Sequence, residues 1–262
     1  MTGRRTTLLA LLRERYPGLD ERELSALLMR GRVTVDGRPV TKAGATVHPD
    51  VRLELRTLPA YVSRGGEKLA AAIDAWRPDI EGRVFLDAGS STGGFTDCLV
   101  RHGAALVHSV DVGVGQLAWR LRSDPRVRAR EGVNVMTLAP ADLDPAPHAA
   151  VADLSFRSLR GAAAHILSLT RQGWGIFLVK PQFEWAEPSD DFRGVVRGTG
   201  DRQQIMRELV EELWGEGVRT RRIMASPIAG RRGNREFLAL LSNRPGGSIS
   251  AALASLAASV RE

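Results

Sequence analysis

The chain has 262 residues, 43% hydrophobic and 26% charged, with a formal net charge of +7; that length buries an ordinary core and leaves room for a second, small domain. No apolar stretch approaches the roughly 20 residues of a bilayer span, so no membrane-spanning segment is expected and the cytoplasm is the expected location. A single cysteine, Cys98, makes no internal disulfide, and His48, His102, His108, His148 and His165 stand at no metal-ligand spacing, so no metal is expected.

From Thr6 an apolar-periodic helix runs to about Tyr16, Pro17-Gly18 breaks it, and a second helix runs from an Asp20 cap to about Arg30. RVTVDGRPV then reads as two strands around the hairpin signal Asp36-Gly37, and VRLELR as a strand over 51–56. Residues 1–56 carry eleven basic and seven acidic side chains, against twenty-six and twenty-three in the rest. The N-terminal part is therefore the more basic per residue, which favours a polyanion partner through counterion release.

After a linker over 58–62, YVSRGGEKLAAAIDAW predicts an extended piece and a helix from about Glu67. Lys68 then falls in the first turn, where a cation opposes the helix dipole. RVFLDAGSSTGGFTD, over 83–97, is a strand, a tight turn and a helix start. Gly89, Gly93 and Gly94 permit a sharp turn open to a ligand, and Ser90, Ser91 and Thr92 offer helix caps. Such a turn is either a cofactor cradle or a plain α/β connection; it matches neither GxGxxG nor GK[ST]. The next apolar run ends in Asp111, where a doubly wound sheet places the carboxylate that holds ribose hydroxyls. A helix over 115–121 and a strand over 125–130 follow. Glu131 and Asn134 beyond it suit either an adenine edge or a turn cap.

A strand over 149–153 ends in DLSF, with Asp153 at the carboxyl end that faces the crevice of an open α/β sheet. A helix over 159–170 leads to GWGIFLVKPQF, where Lys180 closes an apolar run that Pro181 stops. Residues 184–200 read as a polar loop over the site, followed by a helix over 201–214, strands over 218–224 and 236–241, and a weak alanine-serine helix in the tail 246–262. Of the thirty-seven basic residues only Lys42, Lys68 and Lys180 are lysine. Arginine stays protonated in a protein, whereas lysine can be desolvated into a base. Lys42 sits in an ordinary turn, so Lys68 and Lys180 are the candidates for chemistry.

The helix-helix-hairpin-strand order with LLMRGRVTVDGRPV resembles the S4 RNA-binding domain, with Asp20-Glu21 in place of its usual Ser-Arg pair. YVSRGGEKL, DAGSSTGGFTD, DVGVGQLAW, ADLSFRSL, LVKPQFE and SPIAGRRGNREF, in that order, resemble the TlyA family of RNA 2′-O-methyltransferases, whose catalytic part is similar to the FtsJ type. Arg157 and the segment WAEPSDDFRGVVRG depart from the family pattern. The resemblance implies a small α+β S4-type domain over 1–57 and a Rossmann-like α/β methyltransferase domain over 63–245. It implies S-adenosyl-L-methionine as cofactor, held by Asp87, Gly89, Ser91, Gly93, Phe95, Asp111 and Asn134. It also implies a tetrad on Lys68, Asp153, Lys180 and Glu236, with Lys180 as base and the others positioning it. The implied substrate is a cytidine ribose in 23S rRNA, and in some members also 16S rRNA, on free RNA or a ribosomal subunit. The arginines Arg219, Arg221, Arg222, Arg231, Arg232 and Arg235 are candidates for phosphate contact.

Members of the family are also called haemolysins, so a membrane-active role is a further alternative, ranked low because the chain has no spanning segment. A non-catalytic RNA-binding or ribosome-assembly factor is the main alternative on the same fold. An amino-group methyltransferase would show [DN]PP[YF] where this chain has DLSF, and a cytosine C5 enzyme would need a cysteine nucleophile, whereas Cys98 falls in a helix.

Overall fold

In the N-terminal part, leucines three and four residues apart dictate two short helices that share one apolar seam. A computed structural model describes residues 5–55, 60–155, 157–188, 192–230 and 232–259. The expected domain boundary near 57, Phe156, Arg231 and the last tail residues lie outside them. The chain divides into two compact units, Met1–Pro59 and Ala60–Glu262.

The first unit comprises β1 (Thr6–Thr7), α1 (Leu8–Arg15), α2 (Glu21–Met29), β2 (Val33–Val35), β3 (Arg38–Pro39), β4 (Thr46–Val47) and β5 (Leu53–Leu55). Leu8, Leu11 and Leu12 of α1 pack with Leu24, Leu27 and Leu28 of α2 and with Val33 and Val47. α1 starts two residues later than its periodicity suggests because Thr6 and Thr7 pair with Val47 and Thr46. Asp20 accepts from the Glu23 amide while Glu23 reaches back to the Asp20 amide, a reciprocal cap that satisfies two orphan donors. Asp36 and Gly37 both have positive φ, 48° and 77°, as a two-residue hairpin of this twist requires.

The second unit comprises α3 (Arg64–Trp76), β6 (Val84–Ala88), α4 (Gly94–Arg101), β7 (Leu106–Asp111), α5 (Trp119–Arg122), β8 (Val127–Glu131), β9 (Ala149–Ala152), α6 (Ala162–Ser168), β10 (Trp174–Val179), α7 (Pro181–Glu184), α8 (Thr199–Gly215), β11 (Arg219–Ala225), β12 (Phe237–Ser242) and α9 (Ile249–Ser259). Seven strands form one sheet in the order β11-β12-β10-β9-β6-β7-β8. β8, β7, β6, β9 and β10 are mutually parallel, and β12 runs antiparallel between β10 and β11. Strand side chains alternate between two buried faces. Leu86, Ala150, Ala152 and Phe177 join a core with α6, α8 and α9, and Phe85, Val107, Val151 and Ile176 join one with α3 and α4. Helices on both faces explain why the central strands read as continuous apolar runs. The strand order reverses between β6 and β9, and ligands in open α/β sheets bind outside the carboxyl ends at such a point. Among the described residues no helix is long and apolar enough to cross a membrane.

Two expectations are corrected. α3 begins at Arg64 rather than Glu67, which puts Lys68 in the second turn, so the argument from an opposed dipole does not hold. The earlier start runs through Gly65 and Gly66, poor helix formers that packing nevertheless selects: a Cβ on Gly94 would lie 2.9 Å from the Gly66 nitrogen. Buried Asp97 reinforces this contact, accepting from the Val62 amide at 2.8 Å and from Arg101 at 3.1 Å. The helix expected over 115–121 shrinks to the single turn of α5, because Gly115 has a φ of 74° and Ala118 a ψ of 134°, neither of them helical.

Because α3 and α4 meet backbone to backbone, Gly94→Ala should cost about 1–3 kcal/mol of stability through overpacking. Urea unfolding of the two proteins side by side measures it.

Candidate functional site

The candidate residues are spread over 169 positions of sequence, and strand direction gathers them. β6, β9 and β10 end at one edge of the sheet, so the turn after Ala88, Asp153 and Lys180 arise there. Because β12 is antiparallel to β10, the residue preceding it, Glu236, lies at that same edge. Lys68 comes to it from α3. A cavity of about 920 Å³ opens between them, lined by Lys68, Gly89, Ser91, Phe95, Asp153, Lys180 and Glu236 from the expected set. Asp87, Gly93, Asp111 and Asn134 do not line it. Arg64, Gln116, Ser155, Gln182, Arg232 and Asn234 do, and sequence reasoning assigned the site none of them except Arg232, as a phosphate contact. The signal that could have found Arg64, Ser155, Gln182 and Asn234 is their position in the same motifs that carry the tetrad, and for Gln116 its place in DVGVGQLAW beside Asp111.

The four ionisable groups form two pairs. Lys68 and Glu236 make a direct ion pair, their side chains only 9% and 5% exposed. The Lys180 Nζ lies 2.6 Å from Asp153 Oδ1 and donates to the Leu154 carbonyl at 2.9 Å and the Ser155 hydroxyl at 3.1 Å. The ion pair and these two hydrogen bonds together fix the position of Nζ at the cavity. Pairing of this kind is what allows buried charges to exist at all.

Asp87, the penultimate residue of β6, is fully buried. Thr96 donates to its Oδ2 at 2.5 Å, and its Oδ1 has no hydrogen-bond partner among the described residues. Burial pushes its carboxyl up to about 7; the Thr96 hydrogen bond opposes this and the nearby Asp153 charge adds to it. The glycines of the turn serve chain packing first. Gly89 has φ of 80°, and a Cβ there would lie 2.6 Å from the Asp153 carbonyl oxygen; a Cβ on Gly93, φ 93°, would lie 2.8 Å from the Leu117 side chain.

Asp111 holds the turn together, accepting from the Ser91 amide at 2.8 Å and the Gly113 amide at 2.6 Å. The Ser91 hydroxyl donates to Gln116 at 3.1 Å. Of the two uses open to Glu131 and Asn134, both are seen capping: Asn134 accepts from the Met136 amide at 3.0 Å at the start of a short 3-10 turn. Arg219 stacks on Trp214 at 4.1 Å, and Arg221 binds the carbonyls of Arg244, Pro245 and Gly246. Of the described arginines in that cluster only Arg232 reaches the cavity. Cys98 is buried in α4 and burial pushes its thiol up to about 12, which removes it as a nucleophile at neutral pH.

Lys68→Met leaves Glu236 as an unpaired buried charge, and denaturant unfolding should show a loss of about 3–5 kcal/mol. Adding Glu236→Leu should recover most of it. Asp87 has a folded pKa near 7 against an ordinary 3.8, so the folded state binds its proton more tightly and this contribution to stability falls as pH rises from about 4 through 7. Asp87→Asn abolishes that term, so the stability of the wild type relative to the variant should decline across this window in calorimetric scans.

The sequence model of the FtsJ-like methyltransferase family matches residues 61–243. The chain is 36% identical over 252 residues to the 16S/23S rRNA (cytidine-2′-O)-methyltransferase TlyA of Mycobacterium tuberculosis, covering 95% of this chain and 94% of that one. It is 36% identical over 216 residues to Hemolysin A of Brachyspira hyodysenteriae, covering 81% and 90%. A solved structure from Streptococcus thermophilus that carries a provisional hemolysin name superimposes with a TM-score of 0.73 at 30% identity, covering 98% of this chain and 96% of that one. With the sheet order, the family match and relatives aligned over most of its length in agreement, the chain belongs to the FtsJ-like methyltransferase family, in the group that contains TlyA.

Proposed function

We propose that the protein methylates the 2′-hydroxyl of a cytidine ribose in ribosomal RNA, using S-adenosyl-L-methionine, in the cytoplasm. The observation that carries this is the pair of lysine–carboxylate contacts, Lys68–Glu236 and Lys180–Asp153, drawn from four separate elements to one cavity at the strand-order reversal. The name of the M. tuberculosis relative supports 23S and 16S rRNA as substrates. The basic first unit supports an S4-type RNA-binding domain over 1–57, joined by 58–62 to a catalytic domain over 63–245, with 246–262 as a tail.

The cavity fits the cofactor. Its volume suits a small-molecule site, and Gly94 and Phe95 line it with the first turn of α4, whose amides lack intrahelical partners and favour a carboxylate. Gly89, Ser91, Phe95 and Gln116 would hold it, with Asp87, Gly93 and Asp111 shaping the turn. Asn134 supports the segment after β8. When bound, S-adenosyl-L-methionine supplies an electrophilic methyl group on its sulfonium sulfur.

The chain supplies alignment and a proton acceptor. Lys180 Nζ takes the ribose hydroxyl proton, which requires it first to shed one of its own to solvent, since free lysine titrates at about 10.4. The hydrogen bonds that Nζ donates to the Leu154 carbonyl and the Ser155 hydroxyl fix where it stands. Lys68 and Glu236, paired with each other, line the same cavity without adding net charge. Arg64 and Arg232 line the cavity with no carboxylate partner among the described residues and present positive charge to the phosphates beside the target ribose. A target in a stacked helix must be drawn out, at a few kcal/mol.

Lys180→Arg keeps the charge and loses the titration. With rRNA and labelled cofactor its turnover should fall at least about 100-fold, the lower range for general acid–base catalysis; near-normal turnover overturns the base assignment. Mapping 2′-O-methyl groups on rRNA from cells with and without the gene tests the substrate. An unchanged pattern, with no transfer in vitro, supports the non-catalytic RNA-binding alternative.

A further inference from the structure

Lys180 and Asp153 stand on separate loops, after β10 and after β9. Their own contact cannot be all that holds those loops together, since Lys180 must change its protonation state during the reaction. A second contact lies behind the first. Glu184, four residues after Lys180 at the end of α7, is 2% exposed. It reaches across to the loop that begins at Asp153. Its Oε2 accepts from the Ser158 hydroxyl at 2.5 Å and from Arg160 Nη1 at 3.2 Å, and its Oε1 accepts from the Leu159 amide at 2.9 Å. Arg160 also donates to the Glu184 carbonyl at 2.8 Å and pairs with Glu212 of α8.

We infer that Glu184 is a positioning residue for the reaction, stapling the Asp153 loop to the Lys180 loop so that the two reacting-site groups keep their spacing when the ammonium gives up its proton. This rests on the reading of Lys180 and Asp153 under Proposed function. A buried carboxylate is costly unless donors satisfy it, and Glu184 draws its donors from the Asp153 loop. Here the groups it joins are 24 to 26 residues apart, and each lies within seven residues of Asp153 or Lys180. The Lys180–Asp153 contact is the front fastening of the two loops and the Glu184 network the rear one. With the rear one cut, the front contact must both hold the loops and exchange a proton.

The test uses the full chain, rRNA and labelled S-adenosyl-L-methionine, with Glu184→Ala, Glu184→Gln, Ser158→Ala and the reference Lys180→Ala, each assayed well below its unfolding midpoint. A misplacement of 1 Å costs about 100-fold in rate, so Glu184→Ala should lower kcat about 10- to 100-fold. KM for both substrates and affinity for S-adenosylhomocysteine should stay near wild type, which loss of mere scaffolding would not produce. Glu184→Gln, which keeps the shape and an acceptor, should recover part of the rate, and Ser158→Ala should fall between. If Glu184→Ala does not fold, the Gln and Ser158 variants decide. Wild-type kcat in those variants overturns the inference, as does a loss of kcat matched by an equal loss of product affinity. Should Lys180→Ala be inactive while the Glu184 variants are active, only this inference fails; should Lys180→Ala be active too, the reading beneath it fails first.

Discussion

The turn after β6 and the end of β9 approach each other until only a glycine fits between them: a Cβ on residue 89 would stand 2.6 Å from the Asp153 carbonyl oxygen. That proximity is a consequence of parallel pairing, which brings Ala88 level with Ala152 and sends both chains out of the sheet at the same edge. Everything at the site depends on it. The proposed cofactor turn and the first carboxylate of the proposed tetrad are neighbours because the strand order reverses there, and β10 beside β9 adds Lys180 to the same edge.

Charge is then arranged in closed pairs. Lys68 meets Glu236 and Lys180 meets Asp153, and behind them Glu184 collects Ser158, Leu159 and Arg160. A low-dielectric site penalises any unmatched member of such a set far more than water would. Of the cavity-lining cations, those without a carboxylate among the described residues, Arg64 and Arg232, stand exposed on the cavity wall, where a phosphate backbone can neutralise them. The proposed division of labour follows: paired charge for chemistry inside, unpaired charge for RNA outside.

Much of this was legible in the chain alone. Apolar runs ended by Asp87, Asp111, Asp153 and Lys180 read as strand ends because a buried strand tolerates a charge only where it leaves the sheet. The scarcity of lysine singled out Lys68 and Lys180. Other features were not legible because their causes lie in distant chain. The start of α3 depends on Gly94, nearly thirty residues away. Asp111, Glu131 and Asn134 each suited a ligand or a backbone amide, and the choice was made by which amides the turns delivered to them. Glu184 read as the first residue of a polar loop and is among the most deeply buried charged residues.

What the sequence determined by itself was the alternation of strands and helices, the glycine turn and the inventory of groups able to do chemistry. These are local matters, set by side-chain periodicity, by backbone freedom at glycine and by the difference between lysine and arginine. Which groups would face one another was decided only by tertiary structure. Lys68 and Glu236 are 168 residues apart, and no local rule links them. They meet because β12 runs against its neighbours and so begins where the parallel strands end.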